Sequence, residues 1–309
     1  MLLKIIAGAL AGISILFLGM NMMSDGVLSL ATKRLKFVLS TFTTNPVIGV
    51  LCGALVTALT QSSSGTTVMV VSLVNGGVLD LYQAAAVIMG ANIGTTVTAQ
   101  LISYDFFVFI PHLLFLGILL YHLKLTSIMR ELGRFLIGFS LLFLGIRVMV
   151  VSLYPLKNLL GFQHMLFSVG DHQLLGVLLG ALTTGIIQSS STGIAILQGL
   201  SYQGLISLSQ ALPILMGQNI GTCVTTLLSS ISSDKNGKRA ALIHLLFNLL
   251  GTLILFPFMG WMAIWVTKLS PNLVVRQIAN AHTLFNVLTV ILLLPFLSGL
   301  VTLSKKIIR

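Results

Sequence analysis

Apolar residues run along this chain in long stretches separated by short polar, glycine-marked or basic breaks. The first stretch, about 3–30, predicts a helix that ends before Lys33, Arg34 and Lys36. Further helices are predicted over 82–103, 106–123, 134–153, 208–230, 240–259 and 273–300. Two stretches, about 46–76 and 173–204, have another pattern. Each is apolar on both sides of a polar tetrad, Gln61-Ser62-Ser63-Ser64 in one and Gln188-Ser189-Ser190-Ser191 in the other. Only fourteen residues, from Val47 and from Leu174, precede each glutamine; at ~1.5 Å per helical residue that is about 21 Å, short of a ~30 Å hydrocarbon core. At membrane depth, broken backbone survives only where it lines a cavity or is buried in protein. The apolar run after each tetrad ends in a turn signal, Asn75-Gly76-Gly77 or Gln203-Gly204. Two re-entrant helical hairpins are therefore expected, each entering and leaving on one face.

The two hairpins are copies. Residues 53–67 (GALVTALTQSSSGTT) return as 180–194 (GALTTGIIQSSSTGI), and 88–98 (IMGANIGTTVT) return as 215–225 (LMGQNIGTCVT), all at an offset of 127. Eight of fifteen and eight of eleven positions are identical. Leu16–Met20 (LFLGM) is echoed by Leu142–Ile146 (LFLGI), so the N-terminal apolar run belongs to the repeat and reads as retained rather than as a cleaved signal. The duplication divides the chain into a membrane repeat over 1–126 and a second over 127–309 that includes the C-terminal helices.

Composition fixes the class. Of 309 residues, 56% are hydrophobic and 7% charged, and the mean hydropathy is +1.05; this excludes an ordinary soluble domain and predicts an all-α polytopic membrane protein. The net charge of +11 reads as cytoplasmic loops obeying the positive-inside rule, not as a nucleic-acid surface. With Lys33–Lys36 inside, alternating crossings bring Arg130 and Arg134, then Lys235, Lys238 and Arg239, then Lys305, Lys306 and Arg309 to the same face. The repeats are then inverted in topology, and the C-terminus is cytoplasmic in the inner or plasma membrane. Trp261 and Trp265 read as interfacial anchors. Cys52 and Cys223 match no metal or redox spacing and read as packing residues.

Inverted repeats with broken helices characterise many secondary transporters, with the site near the midplane. Each tetrad offers hydroxyls, an amide and the positive end of a short helix, which attracts anions. The carbonyls ending the preceding half-helix suit sodium. The candidate substrate and sodium residues are Gln61, Ser62, Ser63, Ser64 and Thr66 with Gln188, Ser189, Ser190, Ser191 and Thr192; Thr67 follows the first tetrad. Asn92, Thr95, Thr96, Asn219, Thr222, His282 and Asn286 are secondary cavity candidates. His244–Asn248 and His282–Asn286, each one helical turn apart, read first as structural hydrogen-bonding pairs. Arg147, inside an apolar run, either draws in an anion or reaches for the interface. The six carboxylates, Asp25, Asp80, Asp105, Glu131, Asp171 and Asp234, fall mostly in loops or at helix ends. That disfavours a carboxylate proton relay and favours sodium held by neutral oxygens.

The twin QSSS tetrads, each followed by MG[A/Q]NIGT, with HLLFN at His244–Asn248 and HTLFN at His282–Asn286, resemble the type II sodium-dependent phosphate cotransporter family over about residues 10–295. The resemblance implies sodium-coupled symport of inorganic phosphate, tetrad hydroxyls that contact phosphate and sodium, and a transport domain that moves against a scaffold. The first copy departs from the pattern, keeping only Pro111-His112-Leu113-Leu114-Phe115 without the asparagine. No cofactor is implied beyond sodium as the coupling ion. The same fold carrying another oxyanion, or coupled to protons, and a passive anion channel are the alternatives. An intramembrane serine hydrolase needs a base beside the serine, and neither tetrad has a Lys or Asp with it.

Overall fold

The computed structural model describes residues 2–104, 106–123 and 126–309. Asp105 and Lys124 lie outside the described residues, as do the side chains of Lys33, Arg34, Lys36 and Asp171. The described chain is helical throughout, without a strand. Its helices are α1 Leu2–Phe42, α2 Pro46–Thr60, α3 Ser63–Asn75, α4 Leu81–Ile102, α5 Ile110–Leu123, α6 Ser127–Leu153 and α7 Leu160–Asp171. They continue as α8 Gln173–Ile187, α9 Ser190–Tyr202, α10 Leu208–Ser229, α11 Lys235–Leu255, α12 Met259–Leu269, α13 Val274–Leu293 and α14 Leu297–Ile307. Six helical stretches among the described residues are long and apolar enough to cross a membrane, so the chain is a multi-pass membrane protein.

Both interrupted stretches fall where the polar pattern places them, as α2–α3 and α8–α9. The duplication is also structural. The corresponding helices α2 and α8 have 15 residues each, α3 and α9 13, and α4 and α10 22. Even the start of the long helix is copied: Asp80 with Gln83, and Ser207 with Gln210, form capping boxes that satisfy its first free amides.

Other boundaries differ from the sequence expectation. α1 continues to Phe42 through the basic segment, because charge ends an apolar run without ending a helix. α6 begins at Ser127 behind the Thr126 cap, and α11 begins at Lys235 because Asp234 accepts from the Gly237 amide at 2.7 Å. The expected helices at 240–259 and 273–300 are each interrupted by a short 3-10 turn carrying a proline, Phe256–Phe258 and Leu294–Phe296, after which α12 and α14 follow. α7 had no expected counterpart; it meets α8 at a bend of 116°.

Packing puts the tetrads in the middle. α2 lies along α4, and α8 along α10. Their backbones approach so closely that a Cβ on Gly90 would collide with the Val50 carbonyl, and one on Gly217 with the Val177 carbonyl. α1 lies along α6. Beyond the tetrads, α3 packs on α4, α10 and α11, while α9 packs on α4, α6 and α13, so each short helix touches elements of both copies.

Candidate functional site

Each helix break is built the same way. After α2, Gln61 adopts left-handed backbone (φ 54°, ψ 23°), and Ser62 is extended and caps α3, its Oγ accepting from the Gly65 amide at 3.0 Å. After α8, Gln188 is left-handed (φ 59°, ψ 22°), and Ser189 caps α9, its Oγ accepting from the Thr192 amide at 3.3 Å. Only one other described non-glycine residue, Asn272, has positive φ. One left-handed residue and one extended residue suffice to end a helix and start the next. The first amides of the new helix are left without intrahelical partners and point at whatever lies before it.

The two breaks face each other. A cavity of about 20 Å³ is lined by Met20, Gln61, Ser62, Ser63, Ser64, Ser189, Ser190 and Ser191. A second, of about 150 Å³, is lined by Phe17, Met20, Asn21, Ser24, Gln61, Ser62, Ser64, Gln188 and Ser189. All eight tetrad residues line one or the other. The tetrads also touch: Ser64 Oγ donates to the Gln188 carbonyl at 3.3 Å, as does Thr225 Oγ1 at 3.3 Å. Thr98 Oγ1 donates to Gln61 Oε1 at 2.8 Å, and Ser191 Oγ reaches Thr98 Oγ1 at 3.5 Å. Gln61 Nε2 donates in turn to the Ala58 carbonyl. Among the described residues the lining is hydroxyl and amide with a Phe–Met wall and no carboxylate. Two helix N-termini meeting at one point favour an anion there, and the carbonyls and hydroxyls beside them provide hard neutral oxygens for a cation.

The other expected residues lie around this centre. Thr66 is buried beside the first break, donating to the Ser62 carbonyl at 3.0 Å and accepting from Thr57 Oγ1 at 2.9 Å. Thr192 donates to Ser189 Oγ at 3.0 Å. Thr95, Thr96, Asn219 and Thr222 bond back to carbonyls of their own helices. Asn286 Nδ2 donates to the His282 carbonyl at 2.8 Å, and Asn248 Nδ2 to the His244 carbonyl at 3.0 Å. None of these, nor Asn92, lines the two cavities. Asn92 Nδ2, His282 Nδ1 and Asn286 Oδ1 are buried without hydrogen-bond partners.

The structure adds residues that the motifs alone did not nominate. Phe17, Met20, Asn21 and Ser24 bring α1 to the cavity; the signal for them was Asn21 and Ser24, polar residues one turn apart in a mostly apolar run. Thr98 and Thr225 end the second repeated phrase at the same offset of 127. A hydroxyl chain reaches the first tetrad from behind. Thr67 Oγ1 donates to the Ser64 carbonyl at 3.1 Å and lies 2.9 Å from Thr226 Oγ1, which lies 3.0 Å from His244 Nδ1.

The model of the Na+/Pi-cotransporter family matches twice, over residues 15–150 and 157–294. "Uncharacterized protein YqeW" of Bacillus subtilis (strain 168) is 34% identical over 254 residues, 82% of this chain and 82% of that protein. The Escherichia coli (strain K12) protein named "Putative inorganic phosphate export protein YjbB" is 31% identical over 261 residues, 84% of this chain and 48% of its own length. This chain therefore spans about half the length of that relative. "Sodium-dependent phosphate transport protein 2B" of Pongo abelii is 30% identical over 144 residues, 43% of this chain and 21% of that protein. No solved structure matches the chain significantly.

Proposed function

Because the chain belongs to the Na+/Pi-cotransporter family, we propose that it carries inorganic phosphate across the cytoplasmic membrane by sodium-coupled symport with alternating access. The observation that carries this reading is the centre lined by both tetrads, where two helix N-termini and ten hydroxyl- or amide-bearing side chains converge, with no carboxylate among the described residues. Phosphate is held by the serine hydroxyls and the helix-start amides, Ser63 and Ser190 being the first residues of α3 and α9. Sodium is held by the same hydroxyls and by carbonyls such as that of Gln188. Thr66 and Thr192 keep the half-helix starts in register. Asn92, Thr95, Thr96, Asn219, Thr222, His282 and Asn286 form the polar surroundings of the path.

In this reading the two repeats are inverted, divided at 126/127, and the hairpins are re-entrant from opposite faces, with the C-terminus in the cytoplasm. At 15 residues, α2 and α8 are each about 22 Å long, too short to cross alone. In this reading the serines serve binding, since the described lining of both cavities is hydroxyl and amide, the groups that hold an oxyanion. The name of the Escherichia coli relative bears on direction only: a coupled carrier runs whichever way the combined gradients drive it.

Radiolabelled phosphate uptake into proteoliposomes tests the reading, comparing an inward sodium gradient with matched potassium and proton gradients. Accumulation above equilibrium with sodium alone is expected, and Ser63→Ala and Ser190→Ala should each abolish it while the protein still inserts. Phosphate that only equilibrates whatever the cation indicates a channel, and normal uptake by either mutant removes the tetrads from the site.

A further inference from the structure

Arg147 sits in an apolar stretch of α6. Among the described residues its guanidinium has no hydrogen bond or ion pair; it lies over the Phe107 ring, with Cζ 5.6 Å from the centroid. With Phe107, Ile146, Val150, Tyr202 and Gln203 it lines a cavity of about 410 Å³. That cavity lies at the far end of α9 from the tetrads: α9 has 13 residues, so its two ends are about 20 Å apart. Between them is a buried apolar cluster that includes Met20, Phe143, Ile146 and Ala195.

The repeat gives this cavity a counterpart. The LFLGM/LFLGI register pairs Phe17, Met20, Asn21 and Ser24 of α1 with Phe143, Ile146, Arg147 and Val150 of α6. The α1 set lines the tetrad cavity, and Ile146, Arg147 and Val150 line the distant one. Equivalent faces of two equivalent helices thus line one cavity that reaches the tetrads and one that an apolar barrier separates from them. Inverted repeats that exchange conformations alternate such routes about a fixed site.

We propose that the Arg147 cavity is a second oxyanion site, taking a tetrahedral phosphoryl group on the access route opposite to the one lined by Asn21 and Ser24. Its place on a route rests on the transport reading above, but its chemistry does not. An unpaired guanidinium in a mostly apolar cavity that Gln203 also lines suits a charge-assisted, bidentate contact with an oxyanion. Asn21 at the equivalent position supplies polarity without charge, so the two routes differ in their pull on anions. Free phosphate and the phosphodiester of an anionic lipid both carry the required group.

Arg147 is exposed, so the arginine reagent phenylglyoxal reads its occupancy directly, with modification at Arg147 followed by peptide mass spectrometry. The full chain is placed in phosphatidylcholine nanodiscs and titrated with inorganic phosphate; once phosphate exceeds its dissociation constant tenfold, modification should slow by about tenfold, because only the empty site reacts. The same protection should persist in Ser190→Ala, which separates this site from the tetrads. Protection that appears only when phosphatidylglycerol is included assigns a lipid headgroup and overturns the place on the route. Equal modification rates under all conditions overturn the site altogether. Protection in a protein that fails to transport phosphate would keep this site and remove the transport reading; normal uptake without protection would do the reverse.

Discussion

Gln61 and Gln188 hold backbone that a side-chain-bearing residue adopts at a cost of about 1–2 kcal/mol over the right-handed form. For Gln61 the compensation is visible in its bonds to Thr98 and Ala58. The Gln188 side chain is exposed and lines the larger of the two tetrad cavities, and in the proposed function it contacts the ligand. Gln188→Gly should therefore leave thermal stability unchanged, or raise it by up to about 1 kcal/mol, while phosphate uptake falls at least about tenfold; lost stability with intact uptake would reverse that assignment. Behind the first tetrad Thr226 links the hydroxyl chain to a buried histidine. Thr67 Oγ1 reaches the Ser64 carbonyl, and Thr226 Oγ1 lies between Thr67 Oγ1 at 2.9 Å and His244 Nδ1 at 3.0 Å. Thr226→Val keeps the shape but removes the partner of the buried His244 Nδ1, a destabilisation of about 1–3 kcal/mol in denaturation that Thr226→Ser should largely restore. The tetrads themselves were legible in the sequence as helix breaks, because four polar residues interrupt an apolar run twice in the same register. Their partners were not: Thr98 lies 37 residues from Gln61, and Thr226 lies 159 from Thr67, separations that carry no local pattern.

At the scale of elements, legibility tracks what stops a helix. Both helix breaks were readable almost to the residue, since a polar tetrad inside an apolar run and a glycine turn after it leave little freedom in where the half-helices end. α7 was not, because the segment before α8 carries no strong periodic or capping signal, and α1 overran its expected end because nothing in Lys33–Lys36 forbids a helix. The close pairing of α8 with α10 depends on Gly217, whose place a methyl group cannot take without moving the Val177 carbonyl. Gly217→Ala should destabilise the purified protein by about 1–3 kcal/mol through overpacking, seen as a lower melting temperature. Gly299→Ala is the matched control: nothing lies within 4 Å of the added carbon, so its melting temperature should stay the same or rise slightly. Equal effects from the two substitutions would mean that close approach is not what this glycine provides.

For the whole molecule, the present structure breaks the symmetry that the repeat would otherwise impose. The α1 face reaches the tetrads and the equivalent α6 face does not, although α3 and α9, and α4 and α10, match in length. A duplicated chain with one copy open and the other closed has a second state of similar energy available by exchanging the two conformations, and a ligand shifts the balance only through its differential affinity for the two states. Ser24 and Val150 occupy equivalent positions, one on each face, which makes the exchange measurable. The two native cysteines, Cys52 and Cys223, are buried, so Ser24→Cys and Val150→Cys can be labelled singly with a membrane-impermeant maleimide in proteoliposomes of known orientation. Each should react from one face only, the two from opposite faces, and adding sodium with phosphate should move the two rates in opposite directions. If exchange is the mechanism, a rise at one position without a fall at the other cannot occur, because both faces are read from the same two-state population. Rates that rise together, or that ignore sodium and phosphate, would leave the asymmetry as a fixed property of the fold.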